Sequence, residues 1–228
     1  MQIALIGCGK TGSKVADLLS GSDFTIFNTK NTPNKYKLRN HDVIICFTPG
    51  KVFLNLIPML IETQIPVVTG STGFDWPKDI HESLKSRKLK WAHSSNFSLG
   101  MNLIYEMIQV FKKAPLLFDD YQFSLNEIHH KNKLDSPSGT AILWENWLGE
   151  KMEITSIREG DAVGTHELIL DTENESISIK HSAKDRKVFA QGAVWAAHQL
   201  VNNKKIDPGL HQFNELIRQE MKETNNED

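Results

Sequence analysis

The sequence predicts an α/β protein: a parallel sheet at the N-terminal end, then a smaller α+β domain, then a helical tail. Three observations carry this. Over the first hundred residues short apolar runs alternate with amphipathic stretches, the pattern of parallel strands buried on both faces by crossover helices. Beyond residue 100 polar and apolar residues alternate one by one. Phe123 and Leu125 sit among Gln122, Ser124 and Asn126, and Ile177 and Ile179 among Ser176, Ser178 and Lys180, as in strands with one wet face. The C-terminal stretch then returns to helical spacing.

The expected strands of the first domain are Ile3–Ile6, Phe24–Phe27, Val43–Phe47, Pro66–Thr69 and Lys90–Ala92. Between the first two, Val15, Leu18 and Leu19 fall at helical spacing and Gly21 is placed to end the helix, which makes a βαβ unit. Met101 to Lys113 carries Ile104, Met107, Ile108 and Phe111 along one stripe, a long helix leaving the first domain. A helix from Gly139 to Leu148 separates the strands of the second domain. Two helices are expected at the end, Val188–Val201 and, after the Asp207-Pro-Gly turn, Leu210–Met221, with the tail returning to the first domain. The expected domains are residues 1–100 plus 193–228, and 101–192. No repeat interrupts this order, and residues 224–228 are expected to fray.

A chain of 228 residues with 39% hydrophobic and 24% charged side chains has the make-up of a globular protein, which excludes disordered and fibrous classes. Its net charge of -2 supplies no field to attract phosphate backbones, so no nucleic-acid partner is expected. The longest apolar run, Val52 to Ile61, is broken by Asn55 and Pro58 and falls short of the roughly 20 residues that span a bilayer, so no membrane role is expected. The N-terminus leads straight into Gln2-Ile-Ala-Leu-Ile6 without a basic leader, and the expected location is the cytoplasm. Cys8 and Cys46 form neither a disulfide framework nor a metal cluster and read as small buried hydrophobes.

Gly7-Cys8-Gly9-Lys10-Thr11-Gly12 follows the first strand and opens the first helix, the setting in which such a glycine pattern binds a dinucleotide. The first glycine permits the turn and the second lets a pyrophosphate approach. The third lets helix and strand pack closely, with helix amides aimed at the phosphates. The alternative is a glycine turn without a ligand. A chain that prefers NAD shows Asp or Glu at the end of the second strand; here that end is Asn28-Thr29-Lys30. With no carboxylate to repel a 2′-phosphate, NADPH is accepted at least as well as NADH. Lys30 is either a contact to that phosphate or a solvated surface charge.

A nicotinamide supplies hydride but no proton, so reduction of a C=C or C=N bond also needs an acid and a grip on the substrate. Glu127-Ile-His-His-Lys-Asn-Lys-Leu-Asp-Ser-Pro-Ser-Gly-Thr140 offers both. On an extended strand His129 and His130 face opposite sides, which suits separate roles better than a shared metal, and no metal is expected. Lys131 and Lys133 suit a carboxylate substrate. Ser138 is placed as an N-cap, leaving the amides of Gly139 and Thr140 for a carboxylate oxygen. Singly, each histidine is more often structural and each lysine more often solvated; the clustering shifts the odds.

His129-His-Lys-Asn-Lys-Leu-Asp-Ser-Pro-Ser-Gly-Thr140 closely resembles the substrate motif of the dihydrodipicolinate reductases, enzymes of the lysine pathway. Supporting resemblances run through nearly the whole chain: the Gly7–Gly12 loop, Gly70-Ser-Thr-Gly-Phe74, Ser94-Ser-Asn-Phe97, Arg158-Glu-Gly-Asp-Ala-Val-Gly-Thr-His166 and Phe189-Ala-Gln-Gly-Ala193. By this resemblance His129 matches the proton donor and acceptor, Lys133 the second catalytic group, and His130, Gly139 and Thr140 the contacts to a substrate dicarboxylate. Gly70, Ser71 and Thr72, with Ser94, Ser95, Asn96 and Phe97, match the loops flanking the nicotinamide. The resemblance further implies a Rossmann-like N-terminal domain completed by the C-terminal helices, and an inserted substrate-binding and oligomerisation domain. It also implies a homotetramer formed through the substrate-domain sheets, and hinge closure that joins hydride donor and substrate. Two departures bear on cofactor preference. The stretch from Asn28 to Asp42 is short, trimming the adenosine side, and Asn28 replaces the acidic residue of members that use NADH well.

The expected reaction is hydride transfer from NADPH or NADH to the ring of a cyclic unsaturated dicarboxylate, giving tetrahydrodipicolinate. Three rival readings differ in what they must explain. A two-domain dehydrogenase of the aspartate or sugar groups shares the glycine loop but has no reason to carry the His129–Thr140 motif. A non-catalytic NADP(H) sensor has no need of His129 and Lys133, and an anion-binding structural protein requires the glycine loop to be empty.

Overall fold

Alternation along each N-terminal strand decides the first architecture. The computed structural model describes residues 1–21, 23–185 and 187–224. In it β1 (Ile3–Ile6), β2 (Phe24–Phe27), β3 (Val43–Cys46), β4 (Val67–Thr69) and β5 (Lys90–His93) lie within a residue of their expected ends. With β10 (Gly209–Gln212), from the far end of the chain, they form an all-parallel sheet in the order β10-β5-β4-β3-β1-β2. Ile3, Leu5, Val43 and Ile45 face one side; Ala4, Ile6, Ile44 and Cys46 face the other, and all are buried. A sheet buried on both faces needs two helical layers. On the first face α1 (Lys10–Leu19), α7 (Lys187–Asn202) and α8 (Phe213–Thr224) supply Val15, Ala193, Ala197, Leu200 and Leu216. On the second, α2 (Lys35–Leu38), α3 (Gly50–Thr63) and α4 (Ile80–Ser86) supply Leu38, Phe53, Ile57, Leu60 and Leu84. Each fully buried Val, Leu, Ile or Phe contributes about 1.5–3 kcal/mol.

This Rossmann-like sheet and its helices form one compact unit, Met1–Leu99 with Lys187–Asp228; Gly100–Arg186 forms another. The expected boundary at 193 falls inside α7, which belongs to the first unit whole. A second difference concerns the tail: the sequence reading starts a helix at Leu210, whereas the chain forms β10 there and begins α8 at Phe213. The pairing of Gly209–Gln212 with Lys90–His93 supplies backbone partners that no local pattern announces. The apolar run around Pro58 is α3, which buries Phe53, Ile57 and Leu60 on one stripe. Cys46 is buried as expected, but Cys8 is exposed because it sits in the glycine loop rather than in a layer. The expected frayed end beyond Thr224 lies outside the described residues. Among the described residues no helix is long and apolar enough to cross a membrane.

In the second unit β6 (Gln122–His129), β7 (Glu153–Arg158), β8 (Thr165–Asp171) and β9 (Ser176–Ser182) form a mixed sheet in the order β7-β6-β8-β9. Only the β6–β7 pairing is parallel. Its helices are α5 (Leu99–Phe111) and α6 (Gly139–Leu148). Phe123, Leu125, Leu168, Leu170 and Ile179 pack against Met101, Ile104, Ile108, Ala141, Trp144 and Leu148 from them. Period-two alternation continues along β6, so the face that carries Phe123 and Leu125 into the core also carries Glu127 and His129. The apolar layer therefore ends in a buried acid and a buried base.

Candidate active site

In the first unit the conspicuous residues gather where the parallel strands end, the edge at which open α/β sheets bind ligands. Gly7 to Gly12 follow β1, Asn28 and Lys30 follow β2, Gly70 to Thr72 follow β4, and Ser94 to Phe97 follow β5. The loops touch one another through the residues after β3. A Cβ on Gly7 would stand 2.4 Å from the Phe47 carbonyl oxygen, and one on Gly12 2.0 Å from the Gly7 carbonyl oxygen. The Thr48 amide donates to Ser71 Oγ at 3.3 Å, and the Ser94 amide to the Thr69 carbonyl at 3.2 Å. Phe47 and Thr48 thus form the centre of this edge, a role their types do not advertise.

The glycine loop fits a phosphate. Gly9 caps α1 with no side-chain hydrogen bond to its first amides, and a Cβ there would meet nothing within 4 Å. The uncapped amides, with the partial positive charge of a helix N-terminus, face open space. Cys8 and Lys10 on this loop are exposed, and Thr11 is half-buried. Asn28 is exposed, and its Oδ1 accepts from the amides of Lys30 and Asn31 at 2.8 and 3.0 Å, so its carbonyl shapes the turn. Lys30 is exposed. Ser94 Oγ donates to the Asn96 carbonyl at 2.7 Å, and Ser95 is exposed beside it. Phe97 differs from its neighbours: its ring is 2% exposed and packs on Phe47 and Phe213, so its side chain is part of the core.

The second unit builds its site from side chains. Glu127 is fully buried, and its two oxygens are completely engaged. Oε1 accepts from Arg158 Nη2 at 2.7 Å and from the Ser138 amide at 3.2 Å, while Oε2 bonds His129 Nδ1. Burial alone would raise the carboxyl pKa; the hydrogen bonds from Arg158 and His129 more than offset this and take it to about 2. It is a carboxylate at neutral pH. Burial lowers the His129 pKa, Glu127 works against that, and Lys133 and Arg158 add to the lowering. His166 lies edge-on to His129 with ring centroids 5.1 Å apart, and its Nε2 is 2.9 Å from Ser138 Oγ. Burial first, and the His129 charge second, push its pKa down to about 4.

The loop after β6 completes the arrangement. Ser138 caps α6 as expected, its Oγ accepting from the Ala141 amide at 3.2 Å, which leaves the side of Gly139 and Thr140 open; a Cβ on Gly139 would meet nothing within 4 Å. Lys133 Nζ binds Asp135 Oδ1 at 2.9 Å. The Lys133 ammonium first, with backbone amides that include Gly139, holds the Asp135 carboxyl below its usual range. A carboxylate of the chain itself therefore already draws on Lys133 and Gly139. His130 is half-buried on the opposite side of the strand from His129, its amide bonded to the Ala162 carbonyl at 2.9 Å. Glu127, Arg158 and His166 carry no assigned role in the sequence reading. Glu127 was legible, because it lies two residues before His129 and shares its face. Arg158 and His166 depend on register: Arg158 pairs with His129, and His166 with Glu127.

A family model described as dihydrodipicolinate reductase, C-terminus, matches residues 100–217, and one described as dihydrodipicolinate reductase, N-terminus, matches residues 20–97. The chain is 41% identical over 221 residues to a 4-hydroxy-tetrahydrodipicolinate reductase of Thermosipho africanus, across 96% of this chain and 99% of that one. This chain belongs to the dihydrodipicolinate reductase family. These enzymes are oxidoreductases, and a second reductase of that name, from Christiangramia forsetii, is 34% identical over 221 residues, across 88% of this chain and 92% of the relative. A dipicolinate-bound dihydrodipicolinate reductase from Paenisporosarcina sp. TG-14 shares the fold with a TM-score of 0.77 at 18% identity, over 94% of this chain and 98% of that one.

Within this reductase, Glu127, His129 and His166 bring possible metal-ligating atoms within 4.8 Å of one another. The chemistry of the set argues against a cation. Both Glu127 oxygens are engaged, one by the Arg158 guanidinium, whose charge repels a metal, and His129 Nδ1 is turned to the carboxylate. Glu127 and His129 are hydrogen-bonded to each other, and His166 joins them through Ser138.

Proposed function

We propose that this reductase converts a cyclic unsaturated dicarboxylate of the hydroxy-tetrahydrodipicolinate type into tetrahydrodipicolinate, in lysine and diaminopimelate biosynthesis: the ring hydroxyl leaves as water, and the dihydro ring so formed takes up one hydride and one proton. A bound NADPH or NADH supplies the hydride, with both electrons of the broken C–H bond. His129 delivers the balancing proton from Nε2 to the neighbouring ring atom, so the double bond gains one hydride and one proton. Gly139 and Thr140 amides and the His130 side chain grip the carboxylates, and the Lys133 ammonium draws charge toward itself from the ring. The uncapped start of α1, with Gly7, Cys8, Gly9, Lys10, Thr11 and Gly12, takes the cofactor phosphates. Gly70, Ser71, Thr72, Ser94, Ser95, Asn96 and the Phe97 backbone border the nicotinamide. The absence of a carboxylate at Asn28, with Lys30 beside it, favours NADPH over NADH. The working form in this reading is a cytoplasmic homotetramer.

One observation supports this reading above the rest. The Glu127 carboxylate binds the His129 ring and the Ser138 amide at once, so the proton-bearing imidazole and the anion-binding start of α6 share one rigid frame. A sensor or an anion-binding scaffold needs no such coupling. The test follows bound NADPH by fluorescence. Adding the dicarboxylate substrate should consume the signal in the wild type, while His129→Gln should bind NADPH normally and turn over about 10²–10⁴-fold more slowly. Equal losses of turnover and of cofactor affinity would count against His129 as the acid.

A further inference from the structure

We propose that Glu127 is the positioning residue of this reaction, keeping a proton on His129 Nδ1 and so reserving Nε2 for exchange with the substrate. The proposal rests on the reading of His129 as proton donor. Its ground is a matter of donors and acceptors. A carboxylate can only accept, so the Nδ1–Oε2 bond requires hydrogen on Nδ1. Neither partner has freedom to turn away: Arg158 Nη2 and the Ser138 amide fix Oε1, and Glu127 has no exposed surface. Arg158 Nη2 is itself held at 2.7 Å by the Asp135 carbonyl. The space beside the other ring nitrogen depends on a glycine. A Cβ on Gly164, whose φ is +156°, would stand 2.9 Å from Nε2, so any side chain there would crowd the reacting atom.

The charged and titratable groups around the imidazole come from every strand of the unit. They are Glu127 on β6, Lys133 and Asp135 on the loop after it, Arg158 on β7, His166 on β8 and, behind His166, His181 on β9. Asp135 is paired with Lys133, and among the described residues that act directly on His129 only Glu127 is negative. It is thus the group that stabilises the imidazolium against burial and two cations.

Glu127→Gln isolates this role. The amide oxygen must stay with its two fixed donors, which turns the NH₂ group toward Nδ1 and forces that nitrogen to accept. Nitrogen-15 NMR of the neutral His129 ring should report hydrogen on Nδ1 in the wild type and on Nε2 in the variant. The alkaline limb of the kcat–pH profile should move down by about one unit or more, a loss of about tenfold or more above both limbs that closes as the pH is lowered. A purely structural lesion would lower kcat equally at every pH. Glu127→Asp, which keeps the charge, should return the limb toward its wild-type place. Hydrogen on Nε2 in the wild-type ring would overturn the proposal, and this measurement stands even if the Gln variant fails to fold. An unchanged tautomer and limb in Glu127→Gln would overturn it too. Its failure is separable from that of the underlying reading: if His129→Gln retains turnover, the proton-donor role has failed, whereas if His129→Gln is inactive while the Glu127 results go the wrong way, only Glu127 has been misassigned.

Discussion

The glycine loop of the first unit and the Glu127–His129 cluster of the second solve opposite problems. The loop works by leaving side chains out: Gly7 and Gly12 let backbone approach backbone, and Gly9 leaves the first amides of α1 uncovered. The cluster works by putting charged side chains in, where burial makes them costly unless each is paired. A loop that works chiefly through its backbone amides depends first on its shape. A proton site made of a buried acid and two buried imidazoles is sensitive to pH by construction.

Breaking the shape of the first region should give the largest effect on cofactor binding. In Gly12→Ala the new Cβ lies 2.0 Å from the Gly7 carbonyl oxygen, a backbone atom that cannot step aside. Overpacking of this kind costs about 1–3 kcal/mol or more, and cofactor affinity should fall about tenfold or more by fluorescence titration. Unaltered NADPH binding would show that the loop is not the phosphate site.

Acid should act on the second region instead. The His166 pKa falls from 6.5 in the unfolded chain to about 4 in the folded one, so between these values the unfolded chain binds the extra proton. Its contribution is complete above pH 6.5 and is lost as the pH falls toward 4, about 3 kcal/mol in all. The thermal midpoint should drop steadily over that window, and His166→Gln should flatten part of the slope. A midpoint independent of pH from 7 to 4.5 would mean that His166 is not held neutral.

The smallest change sharpens the cofactor question. Lys30 is exposed and screened by water, where a single charge contributes up to about 1 kcal/mol. Lys30→Ala should raise KM for NADPH a few-fold and leave KM for NADH in place; an equal effect on both removes Lys30 from the site.

Much of the site could be read along the chain because it obeys short-range periods. The strand, turn and helix around Gly7–Gly12 are contiguous, as are Ser138 and the helix it caps. Glu127 is as legible as His129, because both fall on the same period of two along one strand. Phe97 lies in the loop that the family resemblance sets beside the nicotinamide, and its ring packs in the core on Phe47 and Phe213, a placement the loop motif does not announce. The strand at Gly209–Gln212 has no pattern of its own, since its parallel partner lies more than a hundred residues away.

By itself the sequence determined the α/β class, the five N-terminal strands, the glycine turn and the imidazole-bearing segment, because periodicity and turn chemistry act between neighbours. Tertiary structure alone decided that Arg158 and His166 meet Glu127 and His129, and that one carboxylate serves both a ring and a helix start. The physical reason is strand register: pairing of β6 with β7 and β8 sets which side chains share a buried space, and a slip of one residue would send the acid and the base to the opposite face.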